Sequence, residues 1–251
     1  MSYYRGYEKI SFAKRVKNAI KNKRFFKSSI DFIKFDIFVP YIKYYIVKIN
    51  YIFNPYFTVN NKIYKYKLTR HRSTDNERVI EIPYVCSFIK TNKNQKLLEV
   101  GNTLSNYFNI KHVIIDKYET GKNIVNVDIV KYTTKNKYDL IISVSTIEHI
   151  GYDEPIREYG KVLKAIQKLI QLLNKNGKLI ITVPLNYNPE INEIIIGKKM
   201  KFSDVYFMKR ISWFNNWVET TQDDALKCAY NSKYSAANVV VFLVYTNALN
   251  A

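Results

Sequence analysis

Little in this sequence serves metal binding or covalent cross-linking. There are two cysteines in 251 residues, Cys86 and Cys228. They are far apart and neither lies near a partner at metal-ligand spacing, so the expectation is reduced thiols in a reducing compartment. The three histidines, His71, His112 and His149, are scattered, and no metal is implied. No run reaches the roughly 18 uncharged apolar residues that a membrane span needs. The N-terminus is basic but lacks the apolar block of a signal peptide. These absences point to a cytoplasmic protein. Acidic residues are scarce in the first part of the chain: residues 1–72 hold 17 Lys+Arg and 3 Asp+Glu, a net charge of +14, of the +19 carried by the whole chain.

What is present is apolar content sufficient for a core, at 47%, arranged in short runs rich in Ile and Val. Lys96–Val100 ends at Gly101, and His112–Ile115 ends at Asp116. Ile124–Val127 ends at Asp128, Tyr138–Val144 runs into Ser145–His149, and Gly177–Val183 stops at Pro184. Such runs, bounded by turn residues, suit strands buried on both faces of a parallel sheet. Helical segments between them serve as crossovers: Glu77–Lys90 before the first run, Thr103–Asn109 after it, and Ile156–Leu173 before the fifth. Asp204–Ile211 and Ala236–Tyr245 read as further strands. The organisation expected is a basic aromatic extension, 1–72, followed by one α/β domain, 73–251.

Ligands of such sheets bind beyond the carboxyl ends of the strands. Here those ends carry Glu99, Gly101, Asn102, Asp116, Asp128 and Ser145, with Glu148 and His149 just beyond. A carboxylate after the second strand can accept both hydroxyls of a ribose, and Gly101 lets backbone approach a ligand closely. Arg72, Glu77 and Glu81, at the start of the helix before the first run, either face this edge or form a solvated helix start, and the second reading is the one favoured.

Leu98-Glu99-Val100-Gly101, Asp116, Asp128, Tyr138–His149 and Leu172–Pro184 fall in the order and spacing of the motifs of class I S-adenosylmethionine-dependent methyltransferases, which the chain resembles from about Glu77 to Tyr245. The resemblance implies a Rossmann-like, seven-stranded, mostly parallel sheet with helices on both faces, and S-adenosylmethionine as cofactor. It implies cofactor contacts from Glu99, Gly101, Asn102, Asp116, Asp128 and Ser145, and a catalytic base in His149 or Glu148. One departure is plain: the family's loop carries two or three glycines, and here Gly101 is followed by Asn102-Thr103-Leu104-Ser105. A looser likeness to methyltransferases of surface-polysaccharide pathways points to a small-molecule or saccharide-type acceptor.

The extension is read separately. Ile10, Phe12, Ala13, Val16 and Ile20 form a helical stripe among lysines and arginines, and residues 30–57 are apolar and aromatic, interrupted by Pro40. An anionic membrane surface or an acidic polymer fits this charge, with peripheral attachment to a membrane as the consequence. Nucleic acid is disfavoured, because no base-methylating signature follows the fourth strand. Two rivals to the small-molecule enzyme remain: a non-catalytic methyltransferase-like module, and a nucleic-acid methyltransferase that uses the extension as a clamp.

Overall fold

The structure is a computed structural model and describes residues 39–68, 74–89 and 95–247. The stripe Ile10–Ile20, the run 30–38, and Arg70, His71 and Arg72 lie outside the described residues. Two compact units are distinguished, Met1–Asn54 and Pro55–Ala251. In the first, helix α1 spans Val39–Phe53.

The second unit opens with a hairpin, β1 (Tyr56–Val59) and β2 (Lys62–Lys65), in a stretch whose sequence reads as loop. The signal is Asn60-Asn61, both at positive φ (47° and 61°), the pairing that a two-residue hairpin turn requires and that asparagine tolerates. Asn60 is tied to the main sheet, its N–H donating to Glu219 Oε2 (2.7 Å) and its Nδ2 to Tyr206 Oη (3.0 Å). Composition alone places this hairpin in the extension; its hydrogen bonds place it in the α/β unit.

Helix α2 (Arg78–Cys86) follows, with Pro83 inside it. Proline has no N–H for the carbonyl of Val79. That carbonyl accepts instead from Lys67 N (3.0 Å), so the helix defect anchors the chain leaving the hairpin.

The main sheet holds β3 (Leu97–Val100), β4 (Val113–Asp116), β5 (Ile124–Asn126), β6 (Tyr138–Val144), β7 (Leu173–Pro184), β8 (Asp204–Arg210), β9 (Trp217–Thr220) and β10 (Val239–Thr246). Their spatial order is β5-β4-β3-β6-β7-β10-β8-β9. The first five are parallel, and β10, β8 and β9 are antiparallel. Seven strands are those expected, and β9 adds an eighth at the edge.

Alternate residues point to opposite faces. Leu98, Val100, Ile141, Leu179, Ile181, Val183, Val241 and Leu243 form one buried layer with Val162, Ala165, Ile166 and Leu169 of helix α3 (Lys161–Gln171). On the other face Phe242 stacks on Tyr84 of α2, ring centroids 4.1 Å apart. Helices thus cover both faces, which is why the strands read as continuous apolar runs.

Helix α3 starts later than its sequence reads. Gly160, at φ 83°, precedes it, and residues 151–159 form turns. The crossover between β3 and β4 is also shorter than expected, a single 3-10 turn at Leu104–Asn106. Beside it, at the amino ends of β3, β4 and β6, lies an open cavity of about 1020 Å³ lined by Leu97, Leu104, Phe108, His112 and Tyr138 among others. It is at the end of the sheet opposite the edge where the motif residues gather.

Candidate functional site at the carboxyl edge of the sheet

At the tips of β3, β4 and β5 each acid named from sequence is held by its own set of hydrogen bonds or ion pairs. Gly101 turns the chain at φ 83° and donates its N–H to Ile115 O (2.8 Å). The space a Cβ would take there belongs to Thr146, whose Oγ1 would lie 2.1 Å away. Glu99 is fully buried. Its Oε1 accepts from the N–H groups of Thr103 (2.9 Å) and Leu104 (2.7 Å), and its Oε2 meets His112 Nε2 at 2.9 Å. With one loop glycine instead of two or three, this carboxylate shapes the turn from beneath.

Asp116 plays a parallel part for the next loop. Its Oδ1 accepts from Tyr118 N and Glu119 N (both 2.8 Å), and its Oδ2 from Asn102 N (3.2 Å). Asn102 Nδ2 donates to Glu119 Oε2 (2.6 Å), while Asn102 Oδ1 is buried without a partner. Asp128 joins through cations: its Oδ2 is 2.8 Å from Lys161 Nζ and 3.2 Å from Lys117 Nζ, and both lysines also bind Glu154. Burial pulls Asp128 upward in pKa, but the bonds from Lys161, from Val130 N–H and from Lys117 outweigh it and hold the carboxyl below its usual range.

The tip of β6 is built differently. Ser145 sits at φ 38°, a strained position for a residue with a Cβ, and donates its hydroxyl to Glu81 Oε1 (2.6 Å). Glu81 Oε2 pairs with Arg78 Nη1 at 2.5 Å. Glu77, Glu81 and Glu148 are all buried around this one guanidinium. Glu77 Oε2 and Glu148 Oε2 have no hydrogen-bond partner. Burial holds Glu148 well above the ordinary carboxylate range; its own backbone and Arg78 oppose this, and Glu81 and Glu77 add to it. Thr103 Oγ1, donating to Val144 O (3.2 Å), links this region to the β3 loop.

His149, next to Glu148, is held by a short hydrogen bond between its Nδ1 and Asp153 Oδ2. The same oxygen accepts from Tyr187 Oη at 2.5 Å. With Nδ1–H directed at Asp153, Nε2 is the basic nitrogen; it lies 3.7 Å from Glu148 Oε1. Burial lowers the His149 pKa, Asp153 works against that, and Arg78 reinforces it. Tyr187 also packs edge-on to His149, Tyr152 and Tyr230.

Sequence reading brought Ser145, Glu148 and His149 to this edge, together with Asn186-Tyr187-Asn188-Pro189 after the fifth strand. It favoured a solvated helix start for Glu77 and Glu81, which are buried here, and it missed Arg78 and Asp153. The His149–Asp153 spacing of four was visible as a signal. Tyr187 is placed by its position just after Pro184, at the end of β7. The parallel order β5-β4-β3-β6-β7 followed by antiparallel β10 and β8 decides the architecture. The fold is Rossmann-like, with the mostly parallel sheet that the resemblance to class I methyltransferases implies.

No protein-family model and no curated protein matches the chain. Solved structures similar to the methyltransferase-like domain include the N-methyltransferase NodS of Bradyrhizobium japonicum in complex with S-adenosyl-L-homocysteine. It is 11% identical, at a TM-score of 0.39 over 60% of this chain and 76% of NodS. A SAM-dependent methyltransferase of Archaeoglobus fulgidus is 12% identical, at 0.39 over 61% and 86%. A methyltransferase of Clostridium acetobutylicum, also S-adenosylmethionine-dependent, is 12% identical, at 0.31 over 59% and 82%. At these scores the likeness is distant, and the fold assignment rests on the strand order.

Proposed function

We propose that this chain transfers a methyl group from S-adenosylmethionine to a small-molecule or saccharide-type acceptor. One observation carries the reading: three buried oxygens at the carboxyl edge, Asn102 Oδ1, Glu77 Oε2 and Glu148 Oε2, have no hydrogen-bond partner. Buried acceptors are rarely left unpaired, and such orphans mark ligand positions. S-adenosylmethionine offers what they lack, with N–H and O–H donors on adenine, ribose and an ammonium group, and net positive charge.

In this reading Asn102, Asp116 and Glu119 hold the nucleoside end, with Glu99 and Asp128 fixing the loops that carry them. Glu77 and Glu148 receive the ammonium or an acceptor N–H, and Arg78 receives a carboxylate. The bound cofactor supplies an electrophilic methyl group. Asp153 and Tyr187 hold the His149 ring so that Nε2 takes the acceptor's proton, and much of the rate comes from alignment. Asn186 to Asn188 border the acceptor side.

Calorimetric titration with S-adenosylmethionine and S-adenosylhomocysteine tests this. Heat with both ligands, weakened about tenfold by Asn102→Ala, is the expected result, matching one lost buried hydrogen bond. Absence of heat with either ligand, in protein that melts cooperatively, rejects it. The second reading, a non-catalytic module, would then stand. It is favoured by Thr146 filling the space beside Gly101 and by the loop N–H groups that already occupy Asp116. Acceptor identity follows from methyl incorporation into amino sugars against their neutral counterparts.

A further inference from the structure

Helix α1 presents an apolar face to solvent that the proposed reaction does not use. At 100° per residue, Ile42, Tyr45, Ile46, Ile49, Ile52 and Phe53 fall within a stripe about 120° wide. All six are between 40% and 78% exposed. Val47 and Tyr51 lie on the opposite side and are buried. Lys43 and Lys48 flank the stripe, and the helix contains no acidic residue. A contiguous exposed patch of large apolar side chains marks an interaction surface.

We propose that this face docks on an anionic lipid bilayer, with the helix lying in the interface. Charge complementarity selects this occupant. Residues 1–54 hold twelve Lys and Arg against three acids, a net charge of +9. Cationic segments concentrate at anionic leaflets, and lysines beside an apolar stripe extend their stems along it while the ammonium groups stay at the headgroups. Among the described residues no helix is long and apolar enough to cross a bilayer, so the interfacial position is the one argued for this helix. The consequence is a protein held at the membrane surface, independent of what the α/β unit binds.

The test is co-sedimentation of the full chain with phosphatidylcholine vesicles, with and without about 30 mol% phosphatidylserine at about 0.1 M salt, where charges are only partly screened. The chain binds the anionic vesicles, and Ile46→Glu with Ile49→Glu lowers the association constant at least tenfold while the thermal melt is unchanged, since both positions are exposed. Four outcomes overturn the proposal. Wild-type protein stays in the supernatant; the double variant binds as wild type does; a dimer seen by sedimentation velocity is dissolved by the variant, which assigns the face to a second copy; or the chain ignores vesicles and binds a single-stranded oligonucleotide.

Discussion

The two halves of the carboxyl edge use carboxylates in opposite ways. At the tips of β3, β4 and β5, Glu99, Asp116 and Asp128 are each matched by loop N–H groups, a histidine or lysines. At the tip of β6 and the start of α2, Glu77, Glu81 and Glu148 crowd one arginine, and two oxygens have no partner. The first arrangement stabilises the fold whether or not a ligand is present. The second costs stability until something arrives, because a buried charge without a partner is disfavoured. Removing a matched acid such as Glu99 and removing a stranded one such as Glu148 should therefore change stability in opposite directions.

The largest effect is expected at Glu99. Glu99→Ala removes the acceptor for two loop N–H groups and strands His112, and chemical denaturation should show a loss of about 3–5 kcal/mol. A loss under about 1 kcal/mol would dissolve the contrast. Next, Glu148→Gln should stabilise the protein by about 1–3 kcal/mol at pH 8, the scale of an unsatisfied buried group, while abolishing methyl transfer. The sign follows from the raised pKa. The protonated acid fits the folded state, so stability is full below the ordinary value of 4.5 and falls as pH rises through the folded value. The gain should thus vanish at pH 4, and a gain equal at both pH values would sink the explanation.

A smaller effect is expected on turnover from Asp153→Asn, about tenfold in kcat, by loss of ring orientation. Its discriminating readout is the acid limb of the pH profile. His149 already titrates below its ordinary value of 6.5, because burial disfavours the imidazolium. Stability from the neutral ring is therefore present above 6.5 and lost as pH falls toward the folded value. Asp153 partly offsets that depression, so its removal should move the limb further down. A shift upward would reverse the assigned role. The smallest effect belongs to Thr182→Val on β7. Thr182 Oγ1 is buried and unpartnered, yet it stands inside the sheet rather than in the acidic cluster. The change should lie within about 1 kcal/mol in thermal melts, and methyl transfer should be unaltered.

The core strands were legible because a parallel sheet covered on both faces imposes continuous apolar runs, and Leu98–Gly101, Ile141–Val144 and Leu179–Val183 show them. The tips were legible for a related reason: a strand must end in residues that turn the chain, and Gly101, Asp116 and Asp128 do so. The hairpin at 56–65 was missed because Lys62 and Lys65 dilute the strand pattern, although Asn60-Asn61 held the turn signal. The shortened crossover after β3 was missed because Thr103–Asn109 has helix-compatible residues but only one 3-10 turn forms.

The sequence by itself determined the order of strands and acids along the chain, since local periodicity and turn chemistry act over a few residues. Only the tertiary structure decided which acids are matched and which are stranded. Glu99 and Glu148 are the same residue type at neighbouring tips of one sheet. What separates them is that the folded turn after β3 and the start of β4 bring Thr103 N–H, Leu104 N–H and His112 within 3 Å of Glu99, while Glu148 Oε2 is buried with no such partner.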